Sequence, residues 1–155
     1  MKELDEERSQ AARALSTALA RPNWGSKRFQ SGKMTRDTLN AFAPYEQIPE
    51  VKQLTDAIHR KEPVEGLLLH YLKRRYPEQE AINSPDDLNV WFEQVLQDRN
   101  AKLMKPRSPD SRYLVYSEKY RLLAVIDRNG QRVSVHKHDG FDVEDVWLTL
   151  AELIR

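Results

Sequence analysis

Cysteine is absent from the 155 residues, which excludes a disulfide framework and a thiol nucleophile. No stretch approaches the roughly 18 consecutive apolar residues of a membrane-spanning helix, and the opening Met-Lys-Glu-Leu-Asp-Glu-Glu-Arg lacks the apolar run of a signal peptide. A cytoplasmic protein without membrane association is the expectation. Glycine is scarce, with five residues, and none belongs to a glycine-rich phosphate loop. A Gly-x-Ser-x-Gly elbow and a helical His pair flanking a Glu are also missing, as is any cysteine-based zinc pattern. Nucleotide hydrolases, serine hydrolases and zinc enzymes are disfavoured, and no cofactor is expected.

What the chain has is charge. Charged residues make up 32% and hydrophobic residues 39%, which leaves enough apolar side chains for a modest core beneath a polar surface. The net charge of +1 conceals bands of opposite sign. Arg21, Lys27, Arg28, Lys33 and Arg36 crowd one segment free of acids, and Glu78, Glu80, Asp86, Asp87, Glu93 and Asp98 crowd another free of bases. Between residues 102 and 137, nine Lys or Arg stand against Asp110, Glu118 and Asp127.

Apolar spacing predicts an α+β domain spanning 1–155, helical over 1–101 and closed by a sheet and a helix over 111–155. Ala11, Leu15 and Ala18 mark a first helix, and Thr35 reads as the cap of a short one holding Leu39 and Phe42. Pro49 and Pro63 can each open a helix. Ser84-Pro85-Asp86-Asp87 combines a cap, a proline for the first turn and two carboxylates for the positive end of a helix dipole. Residues 102–111 read as a connector, 112–137 as a three-stranded antiparallel meander, and Val143, Val146, Trp147, Leu150 and Leu153 as the apolar stripe of a C-terminal helix.

If Glu118-Lys119 and Asn129-Gly130 are two-residue turns, Ile126 faces Val133 and Ala124 faces Val135. Strict alternation then puts Tyr113, Val115, Leu122, Ala124, Ile126, Val133 and Val135 on a core face. The second face carries Arg112, Tyr116, Arg121, Arg132, Ser134 and His136 among Leu114, Leu123 and Val125. That set suits RNA. Cleavage through a ribose 2′-hydroxyl needs a base, an acid and cations at the phosphate, roles open to His136, Arg132, Arg121, Tyr116 and Ser134, with Arg112 holding the strand. Such chemistry uses no metal. His136 and His138 project to one side of a strand and could share a metal with Asp139 nearby, but a convincing third and fourth ligand is lacking, since His59 and His70 have no matching spacing.

Two other segments have binding chemistry. Trp24 and Phe29 interleave with Lys27, Arg28 and Lys33, the pairing of rings and cations that holds single-stranded nucleic acid, although isolated aromatics more often pin a loop to a core. The acidic helix, with Asp86, Asp87 and Glu93, would suit a basic protein partner, as in an immunity protein, an antitoxin or an adaptor.

Residues 86–137 run from a helix with Trp91 and Val95 through a basic connector into Tyr-Leu-Val-Tyr-Ser, Leu-Leu-Ala-Val-Ile-Asp-Arg-Asn-Gly and Arg-Val-Ser-Val-His-Lys. This pattern loosely resembles the small metal-independent ribonuclease toxins of the RelE and colicin D type. The resemblance implies helices ahead of a compact antiparallel sheet whose open face cuts RNA. It would give functional roles to Arg112, Tyr116, Arg121, Arg132, Ser134 and His136.

Overall fold

The computed structural model describes residues 2–140 and 142–154, which form two compact units. One comprises residues up to 23 together with those from 89 on, and the other comprises Trp24–Leu88. In chain order the elements are α1 (Lys2–Ala20), β1 (Ser26–Arg28), α2 (Lys33–Phe42), α3 (Pro49–His59), β2 (Pro63–Glu65), α4 (Gly66–Arg75) and α5 (Asp86–Gln97). These are followed by β3 (Lys102–Met104), β4 (Tyr113–Ser117), β5 (Leu122–Ile126), β6 (Arg132–Lys137), β7 (Val146–Thr149) and α6 (Leu150–Leu153).

The unit Trp24–Leu88 is built around Phe29, Phe42, Val51, Leu54, Ile58, Leu69 and Leu72, all buried. Pro49 occupies the first turn of α3, where its missing N–H costs nothing. β1 and β2 pair antiparallel, and the Gly66 N–H donates to the Gly25 carbonyl at 2.9 Å. A Cβ on Gly66 would lie 2.4 Å from the Trp24 carbonyl oxygen, so glycine is required there. Lys73, Arg74 and Arg75 close the last turn of α4, where cations meet the negative end of the dipole.

The other unit is an antiparallel sheet of order β6-β5-β4-β3-β7 with α1 on one face. Tyr113, Val115, Leu122, Ala124, Ile126 and Val135 are buried on that face. Ala11, Leu15 and Ala18 of α1 and Phe92 and Val95 of α5 are buried as well. Packing is close at the hairpin tip, where a Cβ on Gly130 would lie 2.6 Å from the Thr17 Cβ.

The α+β class holds, but the three-stranded meander with a closing helix does not. Two strands were hidden, β3 in the presumed connector and β7 in the presumed terminal helix, so the sheet has five strands. Val146-Trp147-Leu148-Thr149 is rich in residues that suit a pleated surface, and pairing with β3 outweighs its helical spacing. Only Leu150–Leu153 is helical, after a 3-10 turn at Val143–Asp145. Pro63 begins a strand rather than a helix, and Ser26–Arg28 forms its partner instead of a loop.

The register differs at both turns. Ser117 pairs with Leu122 and Val115 with Ala124, so the β4–β5 turn has four residues rather than two, with Arg121 at φ 53°. The shift is even, so faces are preserved. At the next hairpin Ala124 faces Val135 as expected, but Ile126 faces Arg132 across a break in register. Val133 is the extra residue of a bulge, and it turns Arg132 onto the core face.

Candidate nucleic-acid interface on the second sheet face

With α1 against the first face, the second is left to Lys102, Met104, Leu114, Tyr116, Leu123, Val125, Ser134, His136 and Val146. Pairing arranges them in rows across the strands. One row runs His136, Leu123, Tyr116, Lys102 and Thr149, and its neighbour runs Ser134, Val125 and Leu114. Residues two apart along a strand put adjacent rows about 7 Å apart. Met104, Tyr116 and Leu123 form a buried apolar cluster against which Leu114, Val125 and Val146 pack.

Beside this cluster opens a cleft of about 490 Å³. Met104, Leu114 and Val125 contribute apolar lining, while Lys105, Arg107 and Arg112 bring three cations. Ser111 and Asp145 complete the lining together with Pro106. The basic segment is held at both ends. The Lys105 N–H donates to the Asp145 carbonyl at 2.8 Å. Arg128 donates from Nη2 to the Ser108 carbonyl at 2.9 Å and from Nε to the Ser111 carbonyl at 2.6 Å. Arg128 also lies over the Tyr113 ring, 4.5 Å from its centroid. Burial pushes the Tyr113 hydroxyl up to about 12, against the opposing pull of Arg128, with Glu7 adding to the rise.

A second, more polar cleft of about 460 Å³ involves Lys102, Tyr116, Arg121, Asp139 and Gly140. Asp145 lines both. Here the Tyr116 hydroxyl donates to the His138 carbonyl at 3.2 Å, and the two rings meet edge-on at 5.9 Å. The His138 Nδ1 accepts from the Gly140 N–H at 3.1 Å, which places that ring's proton on Nε2 when it is neutral. The His136 and His138 ring centroids are 6.2 Å apart.

The residues singled out in the sequence are thus divided. Tyr116, Ser134 and His136 share the second face, Arg112 lines the cationic cleft, and Arg121 is exposed at the polar one. Arg132 is on the opposite face and fully buried. Its Nε donates to the Ala18 carbonyl at 2.9 Å and its Nη1 to Asn89 Oδ1 at 2.8 Å, while its guanidinium lies 4.8 Å from the Phe92 ring centroid. Burial lowers its pKa and Glu93, at 3.7 Å, raises it again. This arginine ties α1 and α5 to the sheet and is shielded from any ligand on the second face.

Most of the remaining candidates make contacts within the protein, while Arg28 and Asp86 are exposed. Phe29 is buried and Trp24 nearly so, with the Trp24 ring 5.9 Å from that of His70, so neither ring is open for a base to stack upon. Lys27 lies over Phe29, Lys33 pairs with Asp37 at 3.3 Å, and Arg28 is exposed on β1. Asp87 Oδ2 accepts from the N–H groups of Asn83 and Ser84 at 2.6 and 3.2 Å, Glu93 faces Arg132, and Asp86 is exposed in the first turn of α5. Lys105 and Arg107, which line the cationic cleft, were not singled out in the sequence, since 102–111 reads as a linker.

Comparison with protein-family models, curated proteins and solved structures finds no match. Among the described residues, no helix is long and apolar enough to cross a membrane.

Proposed function

We propose that the protein is RNA-directed and takes single-stranded RNA onto the second face of its five-stranded sheet. The observation carrying this reading is the cleft in which Met104, Leu114 and Val125 lie beside Lys105, Arg107 and Arg112. Single strands are held by bases stacked on rings with cations along the phosphates; this cleft supplies the cations, with apolar side chains in place of a ring. Three cations beside three apolar side chains are of little use to an uncharged apolar ligand.

Metal-independent cleavage is the stronger form of the same reading. His136 is the imidazole of the row next to the cleft and the candidate for moving a proton between the ribose 2′-hydroxyl and the leaving 5′-oxygen. Arg132 has no part in it, so charge at the phosphate would come from Arg112 and Arg107.

Fluorescence anisotropy with a short labelled RNA tests the binding claim. Wild type should bind at low salt and Arg112→Ala should bind more weakly; no binding by the folded wild type would sink it. Incubation with EDTA then separates the two forms. Fragments ending in a 2′,3′-cyclic phosphate, lost in His136→Ala, establish cleavage, whereas intact RNA confines the protein to binding.

A further inference from the structure

The wall of the cationic cleft has a second side. Lys105, Pro106 and Arg107 also line a smaller cleft of about 260 Å³ in which Trp147 takes part. Trp147 owes its position to an irregularity in the sheet. Val146 pairs with Met104 and Leu148 with Leu103, so Trp147 is the extra residue of a bulge in β7. A bulge re-aims the side chain it carries. The result is an indole and an apolar pocket on either side of one basic segment. Lys105 and Arg107 are exposed, and among the described residues neither makes an ion pair within the protein.

We infer that the two clefts hold consecutive nucleotides of a single strand, one base in the Met104, Leu114 and Val125 pocket and the next against Trp147, with Lys105 and Arg107 at the intervening phosphate. This footprint rests on the RNA-directed reading and sharpens it to a site with two bases and one phosphate. Two features argue for a prepared site. Hydrogen bonds anchor the basic segment at Asp145 before it and at Ser108 and Ser111 after it. Pro106 and Pro109 restrict the backbone between, so less entropy is lost on binding.

The test uses the full chain and three probes: a dinucleoside monophosphate, the same molecule with an abasic second residue, and a longer single-stranded RNA. Trp147→Leu keeps an apolar filler at the bulge without a ring, and Trp147→Phe restores a ring. The dinucleotide should bind Trp147→Leu about tenfold more weakly, with recovery in Trp147→Phe, while the abasic probe binds all three proteins alike. Arg107→Ala should weaken both short probes, since both keep the phosphate. Equal affinity of Trp147→Leu and wild type for the dinucleotide, with the longer RNA still bound through Arg112, would overturn the footprint and leave the RNA-directed reading standing. Failure of the wild type to bind any of the three probes would overturn both. DNA probes of the same sequence bound as tightly would keep the footprint and remove the preference for RNA.

Discussion

Arg132 shows how one side chain can change meaning between sequence and fold. By composition it is a cation on a basic face, a natural partner for phosphate. In the fold it is fully buried, donating to the Ala18 carbonyl and Asn89 and lying against Phe92. Truncating a buried, hydrogen-bonded charge leaves its partners unsatisfied, so Arg132→Ala should destabilise the protein by about 3 to 5 kcal/mol. Urea denaturation measures this, and RNA affinity of the fraction that stays folded should not change. A variant with the wild-type midpoint but no RNA binding would instead place Arg132 at the ligand. The reason Arg132 was misplaced is itself legible, and it lies in Asp127. Its Oδ1 accepts from the N–H groups of Asn129 and Gln131 at 2.9 and 2.8 Å, and the Gly130 N–H donates back to the Asp127 carbonyl at 3.1 Å. Asp at the first position and Gly at the fourth is the signature of a type I turn, which competes with the two-residue Asn-Gly turn. Weighing Asn-Gly alone overlooks that competitor.

At the scale of elements, the same hairpin separates the two turn readings by mutation. A two-residue Asn-Gly turn would require left-handed backbone at Asn129 as well as Gly130. Gly130 has φ 86°, while Asn129 is not among the positive-φ residues. Gly130→Ala should therefore cost about 2 kcal/mol, since the added Cβ is strained by the backbone and pressed against Thr17. Asn129→Ala should cost under about 0.5 kcal/mol, because the side chain is exposed and the Asp127 contact uses only its backbone. Thermal unfolding of the two variants checks the contrast, and comparable losses would restore the two-residue turn. Capping chemistry reads helix boundaries only in part: Thr35, expected as a cap, lies inside α2, which begins at Lys33 after Gly32, and its hydroxyl donates to the Gln30 carbonyl. Thr149 and Glu152 form a reciprocal capping box, Thr149 Oγ1 accepting from the Glu152 N–H and Glu152 Oε1 from the Thr149 N–H. That pair marks a helix beginning near residue 150 and leaves Val146–Thr149 free to be a strand. Apolar spacing alone extends the helix too far back, because Val143, Val146, Trp147 and Leu150 fit its period. β3 was harder to find, since its three residues are too few for alternation to show and its place depends on edges offered by β4 and β7.

At the scale of the molecule, cations are plentiful in both units, but the chemistry for a single strand is complete in one. In the unit Trp24–Leu88 the loop rings are turned inward, Phe29 at 2% exposure and Trp24 at 9%, which leaves Lys27, Arg28 and Lys33 without a stacking partner. In the other unit, Lys105, Arg107 and Arg112 stand beside apolar pockets and Trp147. The net charge of +1 gives no general attraction for a polyanion, so affinity must come from such a local group. Each phosphate neutralised on a single strand contributes about −0.7 to the slope of log affinity against log salt concentration. With Lys105 and Arg107 at one phosphate and Arg112 at another, RNA binding should show a slope of about −1.4. Removing Arg107 and Arg112 together should flatten it to about −0.7, whereas Lys27→Ala with Lys33→Ala should leave it unchanged. Anisotropy titrations at several salt concentrations read the slope directly. A slope that responds to Lys27 and Lys33 but not to Arg107 and Arg112 would move RNA from the sheet face to the basic loop, where with both rings buried it would be held by charge alone.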